Sequence, residues 1–128
     1  MIRFLPALSA GLLTGLVISE GIAAGAGLFA PNVEVFSGLE AGQRLDDTAA
    51  SILALSWLGG ALCSAAMATA ISGERSAGWL TGLLWLVPTT LIVVLAGLDD
   101  WMLLVASLSS LGGALVGTRL ALRVVISD

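Results

Sequence analysis

Four long apolar stretches dominate this sequence and limit the folds that it can adopt. They run over residues 4–29, 48–72, 77–98 and 101–125. Each is long enough for a helix that crosses a bilayer, which needs about 20 apolar residues. With 58% hydrophobic and only 11% charged residues, the chain has too little polar sequence to cover four such stretches in water. The sequence therefore predicts an all-α transmembrane four-helix bundle.

Few residues remain outside these stretches, so we expect the 128 residues to form a single integral membrane domain. The longest connection is the loop over residues 31–47, which begins with a helix-ending Pro31. Its large apolar residues favour a segment that lies on the membrane surface or on a partner. The first stretch, with Arg3 before it and Ala-Gly-Ala near its end, also has the pattern of a signal peptide. We interpret it as the first membrane helix.

The arginines predict the orientation of the bundle. If the chain crosses four times, Arg3, Arg75, Arg119 and Arg123 fall on one side of the membrane, and Arg44 falls on the other. The positive-inside rule then places both termini in the cytoplasm. The outer side is acidic. It could attract cations or a basic partner, although a solvated acidic rim is the simpler interpretation.

Two pairs of segments repeat within the chain. SAGLLTGL at residues 9–16 matches SAGWLTGL at 76–83, and LSWLGGAL at 55–62 matches LSSLGGAL at 108–115. This order favours two related helical hairpins that arose by duplication, although a composition rich in Leu, Gly, Ala and Ser also produces chance matches. With the offset of the first pair, Glu20-Gly21 corresponds to Val87-Pro88. We therefore expect a helix kink at Pro88, at about the level of Glu20.

Small residues recur at every fourth position along three of the helices. They are Gly11, Gly15 and Ser19 in the first helix, Gly60 and Ser64 in the second, and Gly113 and Gly117 in the fourth. Small side chains let helix backbones approach closely in lipid, so we predict that these residues pack the helices together. Small residues on further faces favour contact with another chain, but they could equally reflect composition alone. Trp79 and Trp101 lie near the ends of their stretches and are predicted anchors at opposite membrane interfaces.

Residues that carry chemistry are scarce in this chain. It has no His, its one Cys63 cannot form an internal disulfide, and most carboxylates fall near the membrane boundaries. We therefore expect no metal site and no cofactor. No nucleophile, base and orienting group converge in the sequence, so an enzyme is the least expected class, and we expect no nucleic-acid partner.

Glu20 is the one carboxylate deep inside an apolar stretch, about 6 Å from the middle of the first helix. A charged acid near the middle of the bilayer costs at least ~2.5 kcal/mol, so Glu20 should face the bundle interior, a wet cavity or a partner. Three interpretations stay open. Glu20 is protonated and bonds a neighbouring helix through Ser, Thr or the carbonyl freed by Pro88; or it pairs with a cation or donor on another protein; or it binds a proton or cation in a transporter or channel.

The chain resembles a loose family of small, uncharacterised four-helix bacterial membrane proteins. The resemblance rests on the following residues: Glu20 and Pro31, Trp57 with Gly60, Trp101, and Gly113, Gly117 and Arg119. Such proteins often carry His-Pro shortly before the fourth-helix tryptophan, where this chain has Leu98-Asp99-Asp100. The resemblance implies the fold and a bacterial inner membrane, and it implies no activity. Small multidrug transporters and fluoride channels fit less well, because the former have short loops and the latter a glycine-arginine signature in the first helix.

We therefore expect a non-catalytic accessory or assembly subunit that packs against partner membrane helices. Its working parts would be the glycine faces, Glu20 and the outer loop. The alternative is a homo-oligomeric small transporter or channel with Glu20 as its proton or cation site. Expected partners are membrane lipid and either other membrane protein subunits or further copies of this chain.

Overall fold

The computed structural model of the protein describes residues 3–29 and 47–126. The helices are α1 (Phe4–Phe29), α2 (Asp47–Ser72), α3 (Arg75–Leu95) and α4 (Trp101–Ile126). This part of the chain contains no strand, and the predicted all-α four-helix bundle is confirmed. Of the loop predicted over residues 31–47, all but Asp47 lies outside the described residues.

The third helix differs most from its predicted bounds of 77–98. It begins at Arg75, because Gly73 adopts a left-handed backbone (φ 71°) that ends α2, and the extended Glu74 leads directly into the next helix. It ends at Leu95, three residues early, because Gly97 is also left-handed (φ 62°). The Gly97 N–H donates to Val94 O (3.2 Å) and the Leu98 N–H to Val93 O (3.0 Å). These two bonds form a Schellman motif, which satisfies the last carbonyls of α3.

Contacts between the helices define the topology. Gly11 of α1 lies against Ser64 and Ala68 of α2, whereas Gly15 lies against Gly60 and Ser64, so these two helices are antiparallel. By the same test α3 is antiparallel to α4, with Gly78 beside Thr118 and Gly82 beside Ala114. On α4, Gly113 meets residues 58–62 of α2 and Gly117 meets residues 62–66, so α2 and α4 run parallel.

The second helix is the centre of the bundle. It packs against each of the other three helices, while the backbones of α1 and α4 do not approach each other closely in the described part of the chain. This topology collects Arg3, Arg75, Arg119 and Arg123 at one end of the bundle and Asp47, Asp99 and Asp100 at the other. We call these the arginine end and the aspartate end.

The distribution of side chains is that of a protein surrounded by lipid. Much of the buried surface consists of Ala, Gly, Ser and Thr, whereas many of the exposed side chains are Leu and Val. A soluble bundle would bury its large apolar residues, because water rather than close packing drives it together. A cluster of larger side chains occurs toward the aspartate end, where Leu53 and Trp57 of α2 pack with Val93 of α3 and Met102 of α4.

All four helices are long and apolar enough to cross a membrane, over Phe4–Ala26 in α1, the full lengths of α2 and α3, and Trp101–Val124 in α4. Together with the exposed apolar side chains, this makes the chain a multi-pass membrane protein.

Candidate functional site

The side chain of Glu20 does not lie in the bundle interior. It is exposed, in the half of α1 nearer the aspartate end, at the edge of a cleft between α1, α2 and α3. The cleft has a volume of about 50 Å³, which is room for a few water molecules. The residues that line it are Leu16, Ser19, Glu20, Ser56, Trp57, Trp85, Pro88, Thr89 and Ile92.

The indole of Trp85 limits this cleft toward the arginine end. A Cβ added at Gly60 would lie 2.5 Å from Trp85 Cζ2, and one added at Gly15 would lie 3.0 Å from Cζ3. The ring therefore occupies the space that these two glycines leave between α1 and α2. Its Nε1–H donates to the backbone carbonyl of Trp57 at 3.2 Å, so the fully buried indole is satisfied.

Two hydroxyls of the cleft, those of Ser56 and Thr89, already bond to backbone carbonyls of their own helices. Ser56 donates to Leu53 O (2.8 Å). Thr89 lies 3.1 Å from both Trp85 O and Leu86 O, and 3.4 Å from the hydroxyl of Ser110 on α4.

The carboxylate of Glu20 makes no hydrogen bond and no ion pair to any residue that the structure describes. The structure thus brings Glu20, Pro88 and Thr89 to one cleft, at the level that the internal repeat predicts, without a bond between them. The interpretation in which Glu20 bonds Ser, Thr or a freed carbonyl of this chain has no such bond to support it. The other two interpretations, a partner protein and a bound proton or cation, stay predictions.

Beside Glu20, the surface of α1 is open and made of small residues. A Cβ added at Gly21 or at Gly25 would have no atom of the described residues within 4 Å, and Ala24 is exposed. These four residues fall on one side of the helix, because positions three and four apart are neighbours there. We call Glu20, Gly21, Ala24 and Gly25 the open face of α1. Large exposed side chains flank it, with Val17 70% and Leu28 83% exposed.

The small residues predicted to pack the helices lie at two interfaces. Gly11, Gly15 and Ser19 of α1 face Gly60 and Ser64 of α2. On the other side of α2, Gly113 and Gly117 of α4 lie against the backbone of residues 58–66. Their Cβ positions would come within 3 Å of backbone atoms of the facing helix, so each of these interfaces leaves no room for a larger residue.

Two further glycines, Gly78 and Gly82 of α3, were missed by sequence reasoning. Both are buried, Gly78 against the hydroxyls of Thr69 and Thr118, and Gly82 against Ala114. The internal repeat holds the signal that could have found them, because it pairs Gly78 with Gly11 and Gly82 with Gly15. The buried role of Trp85 was also missed, since tryptophan in such a chain is expected at the membrane interface.

Four more residues were singled out from the sequence: Trp79, Trp101, Pro88 and Cys63. Trp101 is the first residue of α4 and 48% exposed, whereas Trp79 lies half-buried in the first turns of α3, at the arginine end. Pro88 lies within α3, where it cannot donate to the carbonyl of Leu84. Within residues 3–29 and 47–126, no three His, Cys, Asp or Glu residues come together as a metal site would require. Cys63 is a half-buried free thiol.

Comparison of the chain with protein-family models, with curated proteins and with solved structures finds no match.

Proposed function

We propose that this protein is a non-catalytic accessory or assembly subunit of a bacterial inner-membrane complex. It packs the open face of α1 against a membrane helix of a partner protein. Both termini lie in the cytoplasm, in agreement with the four arginines at one end of the bundle. The chain's resemblance to small bacterial membrane proteins supports a location in the bacterial inner membrane.

The observation that carries this proposal is the exposure of Glu20 within an apolar helix. Its side chain lies about 6 Å from the middle of α1, too deep to reach bulk water easily. Facing lipid, a charged acid there would cost at least ~2.5 kcal/mol. Because no described residue of this chain bonds it, a hydrogen-bond donor or cation on another helix is the economical way to remove that cost.

The glycines beside Glu20 support a helix as the partner. Gly21 and Gly25 are four residues apart, and no described residue covers them, which is the arrangement that lets two helix backbones meet in lipid. The small glycines that pack this bundle internally, such as Gly11 and Gly15, are already covered by α2. The packing of the described helices therefore does not use the open face. Its partner would carry small residues opposite the glycines and an Arg, Lys or amide donor opposite Glu20.

A matched pair of glycine substitutions tests this proposal. Gly21→Leu would fill the open face, whereas Gly112→Leu would place the same side chain in open space on α4. Each tagged variant is extracted from native membranes in mild detergent, and the co-purified membrane proteins are quantified. We expect Gly21→Leu and Glu20→Ala to lose a stoichiometric partner that wild type and Gly112→Leu retain. Equal retention in all four proteins would contradict the use of this face.

The small cleft beside Glu20 favours a second candidate, a homo-oligomeric transporter or channel with Glu20 as its proton or cation site. The cleft places a carboxylate near hydroxyls and indoles at one level of the membrane. This candidate predicts that Glu20→Gln abolishes a pH-dependent flux in proteoliposomes and leaves the oligomer intact. The accessory function predicts no flux in either protein.

We also propose that the two hairpins, α1–α2 and α3–α4, arose by duplication. The equivalent glycines of the repeat support this origin. Gly11 and Gly15 face α2 within the first hairpin, and their counterparts Gly78 and Gly82 face α4 within the second.

A further inference from the structure

A groove runs along the bundle between α1 and α4, over the surface of α2. It exists because α1 and α4 both pack on α2 while their backbones, within the described residues, stay apart. Its volume is about 460 Å³, within the range of ~300–1,000 Å³ that is typical of ligand pockets. Ala66 and Ala70 of α2 contribute small side chains, and Thr14 of α1, Met67 of α2 and Leu120 of α4 also line it.

The lining of the groove suits a hydrocarbon chain. Nearly all of its side chains are apolar, and its one hydroxyl, that of Thr14, donates to the carbonyl of Ala10 at 2.8 Å. The hydrogen of the Thr14 hydroxyl is thus already used, and the thiol of Cys63 is only a weak donor, so a polar ligand would find few groups to bond among these residues. In a bilayer an acyl chain would gain dispersion contacts along the groove without leaving any polar group unpaired.

The groove lies in the half of the bundle toward the arginine end, over the depth of about one leaflet. Ala70 lies two residues before the end of α2, and Leu120 lies within the last two turns of α4. From Thr14 to Arg3 the rise along α1 is about 16 Å, which is close to half of a ~30 Å hydrocarbon core. An acyl chain in the groove would therefore place its headgroup beside the arginines.

Arg3 and Arg123 lie at this end, beside the two helices that border the groove. Arg3 precedes Thr14 by eleven residues, or three turns, so the two lie on the same side of α1. Arg123 lies in the last turn of α4, three residues after Leu120 and on an adjoining side. Both are exposed, and neither forms an ion pair with a carboxylate in the part of the chain that the structure describes. Two unpaired cations at this end of an apolar groove complement an anionic headgroup joined to an acyl chain.

We propose that this groove binds one anionic phospholipid of the cytoplasmic leaflet, with an acyl chain along α2 and the phosphate between Arg3 and Arg123. The site is independent of the open face of α1, since it lies in the other half of that helix. It adds a specific lipid ligand to the subunit function proposed above and does not require that function.

Native mass spectrometry of the purified full chain tests the proposal with two probes, dioleoylphosphatidylglycerol and dioleoylphosphatidylcholine. We expect one phosphatidylglycerol to bind clearly more tightly than phosphatidylcholine. Removing both charges in Arg3→Gln/Arg123→Gln should weaken phosphatidylglycerol binding about 25-fold, since one arginine near an anionic headgroup is worth about fivefold. The matched control is Arg75→Gln, because Arg75 also lies at the arginine end but on α3, which contributes nothing to the groove.

A second variant tests the acyl-chain part of the site. Ala70→Phe fills the exposed floor of the groove without touching a charge, and should weaken both lipids, whereas Ala24→Phe on the open face should weaken neither. Equal binding of the two lipids to wild type would overturn the proposal, and this comparison needs no variant to fold. An equal loss of phosphatidylglycerol binding in Arg75→Gln, or unchanged lipid binding in Ala70→Phe, would also overturn it. A third contradicting result is a dimer of this chain that excludes lipid and dissociates in Ala70→Phe. The last result would assign the groove to a second copy.

Discussion

Adding one methyl group at Gly113 should force α2 and α4 apart. A Cβ there would lie 2.7 Å from Leu58 O, 2.9 Å from Ala61 Cβ and 2.9 Å from Leu62 N. Two of these atoms are backbone and none can rotate away, so only a shift of the whole helix relieves the contact. Ordinary contact begins at 3.4 Å, and the helices must therefore separate locally by roughly 0.7 Å.

The cost follows from that separation. A gap of 0.5–1 Å forfeits a quarter to a half of the dispersion attraction between facing atoms, and overpacking of this kind typically costs about 1–3 kcal/mol. The neighbouring Gly112 provides a matched control, because a Cβ there would meet nothing within 4 Å. The change in helix propensity from Gly to Ala is common to both variants, so the difference between them isolates the contact.

The assay is reversible unfolding in mixed micelles, in which dodecyl sulfate is added and helix content is followed by circular dichroism. We expect Gly113→Ala to be less stable than Gly112→Ala by about 1–3 kcal/mol, and Gly112→Ala to be at least as stable as wild type. Equal midpoints for the two variants would refute the close α2–α4 contact. The parallel packing of these helices would then need another basis.

Other substitutions test the surroundings of the cleft and the end of α3 in the same unfolding assay. Trp85→Phe should cost about 1 kcal/mol through the lost bond to Trp57 O, and an unchanged midpoint would contradict a stabilising role of that bond. Gly97→Ala should cost about 1–2 kcal/mol because φ is positive there, whereas Gly97→Asn should cost less; equal costs would contradict the left-handed turn. Thr89→Val should cost about 1 kcal/mol by removing a buried hydroxyl that bonds its own helix and lies near Ser110 of α4; a stabilised variant would argue against those bonds.

The four helices are predictable from sequence because the length of an apolar stretch has one dominant physical meaning in a membrane. The end of α3 is not predictable from sequence in this way, because Ala96, Gly97 and Leu98 are as apolar as the helix before them. Only the left-handed backbone of Gly97 and the bonds that follow it reveal the turn. Hydropathy thus identifies a crossing segment and leaves the residue at which it ends to local backbone geometry.

The depth of Glu20 in the membrane is predictable from sequence, but the direction in which its side chain points is not. The repeat offset places Glu20 at the height of Pro88, and both residues line one cleft. The rotation of α1, however, depends on which of its small residues meet α2. Glycines occur on more than one side of this helix, so the sequence allows several rotations. Contact of Gly11 and Gly15 with α2 leaves Glu20 exposed, and this choice appears only in the packed structure.

The most direct test of the proposed function is the mass of the intact complex. The tagged protein would be extracted from native membranes in mild detergent, purified and measured by native mass spectrometry. The account predicts a stoichiometric foreign membrane subunit that is retained by wild type and lost by Glu20→Ala. A preparation that contains only this chain, alone or as a homo-oligomer, would contradict it.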